Sequence, residues 1–165
     1  MTADDHDRPA TGTTFEDIAA FFASLPEGRR LIGIDAGTKT LGLALSDVNR
    51  SIASPLETIR KTKFTTDAAR LLALCNDHRV AGLVLGLPIN LDGSEGPRAQ
   101  STRAMARNLN RLSPLPILLW DERLTTAEAE RMLIAADQSR KRRAEVIDKL
   151  AATIILQNAL DRMRN

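Results

Sequence analysis

The stretch LIGIDAGTKTLGLALSD, residues 31–47, holds two apolar runs joined by a turn, with a single carboxylate, Asp35, closing the first run. Leu31 to Asp35 reads as a buried strand, and Gly42 to Ser46 as a second strand close behind it. Burying a carboxylate costs several kcal/mol unless it is paired, hydrogen-bonded or bound to a cation. By alternation Asp35 shares a face with Leu31 and Gly33, and Gly33 leaves space beside it. The plain structural account of Asp35 is a turn acid capping Gly37.

Working outward, Ile52 to Ile59 reads as a third strand, entered through a turn near Asp47 to Ser51, so the first three strands are antiparallel neighbours. After Thr65 the period changes. Ala68, Leu71, Leu72 and Cys75 mark a helix, and VAGLVLG at 80–86 is a near-continuous apolar strand suited to burial on both faces. The loop GLPINLDGSEGP leads to Pro97 at a first helical turn, a helix to about Leu112, and another buried strand in LPILLWDE. TTAE at 125–128 matches a capping box, with Thr125 and Glu128 opening a helix to about Asp137, and a last helix runs from about Arg143 to Leu160. The expected fold class is α/β, with a mixed five-stranded sheet: three antiparallel hairpin strands, then two parallel βα-linked strands, flanked by helices.

Ahead of this core, residues 1–13 read as a disordered tail. Residues 14–30 read as a helical extension, with Phe15, Ile18, Ala19, Phe22 and Leu25 at helical spacing before Pro26 and Gly28. At 165 residues, 43% hydrophobic and 27% charged, the composition suits one domain with one core. Lys plus Arg number 23 against 21 Asp plus Glu, so net charge alone announces no polyanion partner; RKRR at 140–143 concentrates what positive charge there is. One cysteine, Cys75, excludes an internal disulfide, and with only His6 and His78 it gives no zinc-ligand spacing. No apolar run approaches the ~18 residues of a membrane span, and the N-terminus lacks a signal peptide's apolar centre. The expected compartment is the cytoplasm. The histidines are also poor material for a Ser-His-Asp or Cys-His catalyst.

Chemistry therefore falls to acids. Asp121 and Glu122 end the last apolar strand, where helix-start acidity accounts for one of them better than for both. Asp148 lies on the helix side carrying Ala144, Ala151, Ala152, Ile155 and Ala159, with no cationic neighbour one turn away. Carboxylates converging from two strand ends and a helix repel one another unless a cation neutralises them. Mg²⁺, which prefers carboxylate oxygens, is the natural choice, with Mn²⁺ as a substitute, and such ions can activate water for phosphodiester cleavage. Lys39 and Arg123 would then lie near the substrate phosphate, and Thr38 sits beside Lys39 in the same turn. The free N–H groups opening the helix after Gly96, with Arg98 beside them, offer a further phosphate contact.

With these residues assembled, the chain closely resembles the YqgF/RuvX family, the bacterial Holliday-junction-resolvase-like proteins also described as pre-16S rRNA nucleases. Over residues 31–161 the shared motifs are GIDAGTKTLGLALSD, ASPLETI, GLPINLDGSEGPRAQ, DERLTTAEAE and RRAEVIDKLAATIILQ. The resemblance implies an RNase H-like fold over residues 31–165 and a metal-dependent nuclease. Its acids fall on Asp35, on the Asp121–Glu122 pair and on Asp148, with Glu122 slightly preferred over Asp121. The implied partner is nucleic acid, either a structured RNA precursor in ribosome biogenesis or a branched DNA junction, and both monomer and homodimer stay open. Aromatics are 3% of the chain and Tyr is absent, so recognition should follow backbone and shape more than a stacking platform. Two other classes remain in play. DAGTK also resembles the phosphate loop of actin-like ATPases, which need two such domains, and a non-catalytic nucleic-acid-binding accessory would carry the acids as remnants.

Overall fold

The computed structural model describes residues 12–124 and 140–164, with the backbone alone for 140–149. In chain order these form β1 (Thr14–Phe15), α1 (Ile18–Ala23), β2 (Arg30–Ala36), β3 (Thr40–Ser46), β4 (Ala53–Arg60), α2 (Phe64–Asp77), β5 (Val80–Leu87), α3 (Pro97–Leu112), β6 (Ile117–Asp121), a 3₁₀ turn (Glu122–Leu124) and α4 (Arg140–Arg164). The helix expected to open at Thr125 lies outside the described residues.

The sheet order is β1-β6-β5-β2-β3-β4. The pairs β2–β3 and β3–β4 are antiparallel, while β1–β6, β6–β5 and β5–β2 are parallel. The described sheet thus has six strands where five were expected. The extra one comes from residues read as the start of a helix. Thr14 and Phe15 stay extended beside Ile117 and Leu118, and the helix starts only after Asp17, whose side chain accepts from the Ala19 N–H at 3.2 Å. Two residues are too few to show a period of two, so the helical spacing of the following apolar residues masked them.

Each face of the sheet has its own core. On one face α2 and α3 pack Leu71, Leu74, Ala106 and Leu109 onto Ile32, Ile34, Leu43, Leu83, Leu85 and Leu119. On the other, α1 and α4 pack Phe21, Ala152, Ile155, Leu156 and Leu160 onto Leu31, Ala44, Val84, Leu118 and Trp120. Phe21 is fully buried, so the segment before β2 contributes directly to this second core.

The position of α4 over the sheet is set by an absent side chain. A Cβ at Gly33 would lie 2.7 Å from the Leu156 Cβ and 2.9 Å from the Ala152 carbonyl oxygen. One turn and more along α4, the Gln157 Nε2 donates to the Ser51 carbonyl at 3.0 Å, and its Oε1 accepts from the Ala53 N–H at 2.8 Å. Ala53 pairs with Ser46 at the start-of-β2 end of the sheet, whereas Gly33 lies further along β2. Thus α4 runs antiparallel to β2, and its earlier turns approach the strand's C-terminal end.

Candidate functional site

Asp35 is the sixth residue of β2, on the α4 face. Glu122 follows the end of β6, two strands away, because β5 lies between β2 and β6. What lets them approach is Gly86 of β5. It pairs with Trp120 and stands one residue past the Ile34–Leu85 pair, hence beside Asp35. A Cβ there would lie 3.0 Å from the Glu122 Oε1 and 2.6 Å from the Ile155 Cδ1. Glu122 therefore folds back across a bare stretch of β5 toward Asp35.

The consequence is electrostatic. The Glu122 carboxyl is pushed up to about 7, first by burial and then by the Asp35 charge, with Asp121 adding to it and Arg98 opposing. Asp121 behaves in the opposite way. Its carboxylate accepts from the Arg123 backbone N–H at 2.9 Å, from Nε at 3.1 Å and from Nη2 at 2.8 Å, and Arg123 holds it below the usual carboxylate range. By strand alternation Asp121 belongs to the face of Leu119, away from Asp35.

The other residues singled out from sequence are distributed as follows. Arg98, at the start of α3, reaches the Ala36 carbonyl with Nη2 at 3.4 Å, which sets it beside the carboxylate pair. Thr38 and Lys39 occupy the exposed β2–β3 turn, closed by the Gly37 N–H donating to the Thr40 carbonyl at 2.9 Å. Arg123 is engaged with Asp121 and lies against the loop before α3, where Gly93, at φ 89°, makes the turn that brings its N–H to the Asn90 carbonyl at 2.8 Å. Position 148 is in α4, one helical turn before Ala152 and so toward the Asp35 end of β2; its side chain lies outside the described residues.

Two contributors were missed in the sequence. Gly86 reads as one more small residue in an apolar strand, although an interior strand glycine is itself a signal of close approach. Lys61, just past β4, donates from Nζ to the Gly37 carbonyl at 2.9 Å and so joins the turn that carries Thr38 and Lys39.

The donor set suits a hard divalent cation. Two carboxylates share a glycine-floored cradle with no His or Cys beside them among the described residues, and burial together with the neighbouring Asp35 charge disfavours the ionised form of Glu122, which a hard cation would relieve. Among the described residues no group of three such ligands is assembled.

The chain matches the family model "RuvX: Holliday junction resolvase" over residues 29–162. It is 62% identical over 149 residues to a Paracoccus denitrificans protein named "Putative pre-16S rRNA nuclease", covering 90% of this chain and 94% of that one. A Cereibacter sphaeroides protein of the same name is 64% identical over 148 residues, with 90% and 92% covered. Among solved structures, Thermus thermophilus RuvC in complex with a Holliday junction substrate aligns with a TM-score of 0.55 at 14% identity, covering 83% of this chain and 97% of that one, a likeness of fold. The mixed sheet, the family match across all but the chain's ends and the two close relatives agree: this chain belongs to the RuvX family.

Proposed function

We propose that the chain is a nuclease that hydrolyses phosphodiester bonds at the 5′ end of precursor 16S rRNA in the cytoplasm, with a divalent cation, Mg²⁺ or Mn²⁺, held by Asp35, Glu122 and Asp148. The observation that carries this reading is the meeting of Asp35 and Glu122 over the bare Gly86. The names of the two relatives supply the substrate. Between the neighbouring acids, Glu122 is the ligand and Asp121 is the partner that orients Arg123.

A divalent cation held by Asp35, Glu122 and Asp148 would supply Lewis-acid polarisation of the phosphodiester and an activated water. The chain's own residues position the strand. Arg98 faces the pair from α3 and, with the first-turn N–H groups that no side chain caps, attracts the phosphate. Lys39 and Thr38 stand in the adjoining turn, where a second phosphate can rest. Glu122 must lose its proton before it can serve as a ligand, which its carboxyl near 7 permits around neutral pH.

A second reading, resolution of four-way DNA junctions, is favoured by the family description and by the RuvC likeness in fold. The test is cleavage of a precursor rRNA 5′ segment and of a four-way DNA junction by the wild type and by Asp35→Asn, in Mg²⁺, Mn²⁺ or EDTA. Metal-dependent cutting of the RNA, lost in the variant, supports the proposal. Cutting confined to the junction replaces the substrate, and equal turnover by Asp35→Asn removes the mechanism.

A further inference from the structure

Behind the edge that carries Asp35 and Glu122, on the α2/α3 side, lies a cavity of about 460 Å³ that the carboxylate pair does not use. Its floor is apolar, made by Leu41, Ala68, Leu71 and Met105, and Phe64 forms part of its wall. Its mouth carries two exposed cations, Lys61 donating to the Gly37 carbonyl and Arg98 to the Ala36 carbonyl at the end of β2. Inside it, Asp67 is 6% exposed and accepts only from the Thr62 N–H and hydroxyl among the bonds described. A carboxylate offers about four acceptor sites, so Asp67 keeps capacity for a further N–H donor.

These features ask for one kind of occupant. An apolar floor takes a flat, weakly polar body; a buried acceptor takes an amino or ring N–H group; and cations at the mouth take an anion attached to that body. The volume falls in the range of small-molecule sites, roughly 300–1,000 Å³. Arg98 belongs both to this mouth and to the surroundings of Glu122, so whatever anion it holds here is next to the carboxylate pair.

We infer that the cavity seats one unstacked nucleotide of the cleaved strand, its base against Phe64, Leu41 and Met105 and its phosphates against Lys61 and Arg98. The inference rests on the nuclease reading above and adds a subsite to it. One pocket for one base is compatible with a chain too poor in aromatics for an extended stacking platform.

The test reads binding to an uncut strand. Short fluorescein-labelled single-stranded RNAs, each with one abasic site, are titrated in EDTA against the Asp35→Asn chain. An abasic site at one position should lower affinity about tenfold, the scale for losing one seated base, and abasic sites elsewhere should change little. Adding Ser101→Leu, an exposed position at the mouth, should erase that positional penalty without lowering the melting temperature. Lys61→Ala, which leaves the floor intact, should reduce the salt slope of binding by about one.

A flat abasic scan, or a penalty unchanged by Ser101→Leu, overturns the inference. So does saturation by free nucleoside monophosphates at the concentrations where the strand binds, which would mark a free-nucleotide site. A chain that cuts RNA but gives a flat scan loses the pocket alone. A chain that shows the positional penalty but cuts nothing as wild type in Mg²⁺ loses the nuclease reading alone, and one that binds no strand loses both.

Discussion

The two faces of the sheet solve the same packing problem with different residues. Toward α2 and α3, β2 and β5 present Ile32, Ile34, Leu83 and Leu85, large side chains that fill space. Toward α1 and α4 the same strands present Gly33, Gly82 and Gly86 at places where the opposing atoms come within about 3 Å of an added Cβ. A leucine-filled face adjusts to small changes by shifting rotamers. A glycine face brings backbone against helix, so the helix register and the positions of Asp35 and Glu122 are fixed together. The proposed chemistry is on the face with less freedom.

The sharpest way to break this contrast uses two adjacent acids on opposite faces. Glu122→Gln should lower the cleavage rate at least about a hundredfold, the scale for removing one group that stabilises transition-state charge. Asp121→Asn should cost less than about tenfold, since its partner is Arg123. Single-turnover rates on the same RNA decide it, and equal losses would dissolve the distinction.

Stability offers the next test, with neighbouring residues of β2. Gly33→Ala drives a methyl into the Ala152 carbonyl and the Leu156 Cβ, neither of which can swing aside, and should cost about 1–3 kcal/mol in denaturant melts. A neutral result would mean that α4 slides freely.

Without metal, stability should depend on pH through Glu122. The Glu122 carboxyl stands at about 7 in the folded chain, above its ordinary 4.5. Below about pH 4.5 both folded and unfolded chains hold the proton; between 4.5 and about 7 the unfolded chain releases it first, so stability falls as pH rises through that window. With the site partly open to water, the loss should be roughly 1–2 kcal/mol. In EDTA, Glu122→Gln should match the wild type near pH 4.5 and melt higher at pH 8; parallel profiles would refute the coupling. The smallest effect belongs to the forgiving face, where Ile34→Val should cost about 1 kcal/mol by chemical melt and leave cleavage unchanged.

Most of the sheet could be read in the chain because each long strand carries its own pattern. Leu31 to Ile34 is a buried run closed by Asp35, and Val80 to Leu87 is buried throughout. What could not be read depends on neighbours that sequence does not reveal. Alternation separates Asp121 from Glu122, but only the alignment of β6, β5 and β2 says which of them shares a face with Asp35. The cavity floor gathers residues from β3, α2 and α3, none of which is unusual alone. Asp35 stood out in the sequence because an acid closing an apolar run has few inexpensive explanations.

One feature of β4 bears on how copies of the chain can meet. At the sheet's outer margin its register with β3 slips between Leu43 and Ala44, opposite Glu57 and Pro55. Proline has no N–H to offer a further strand, and the irregularity bends the margin away from a flat template. Along this edge, strand-to-strand growth into fibrils or a continuous intermolecular sheet is therefore discouraged. A two-fold pairing of the kind that would cut two strands at once would therefore not be built by joining this edge to its copy.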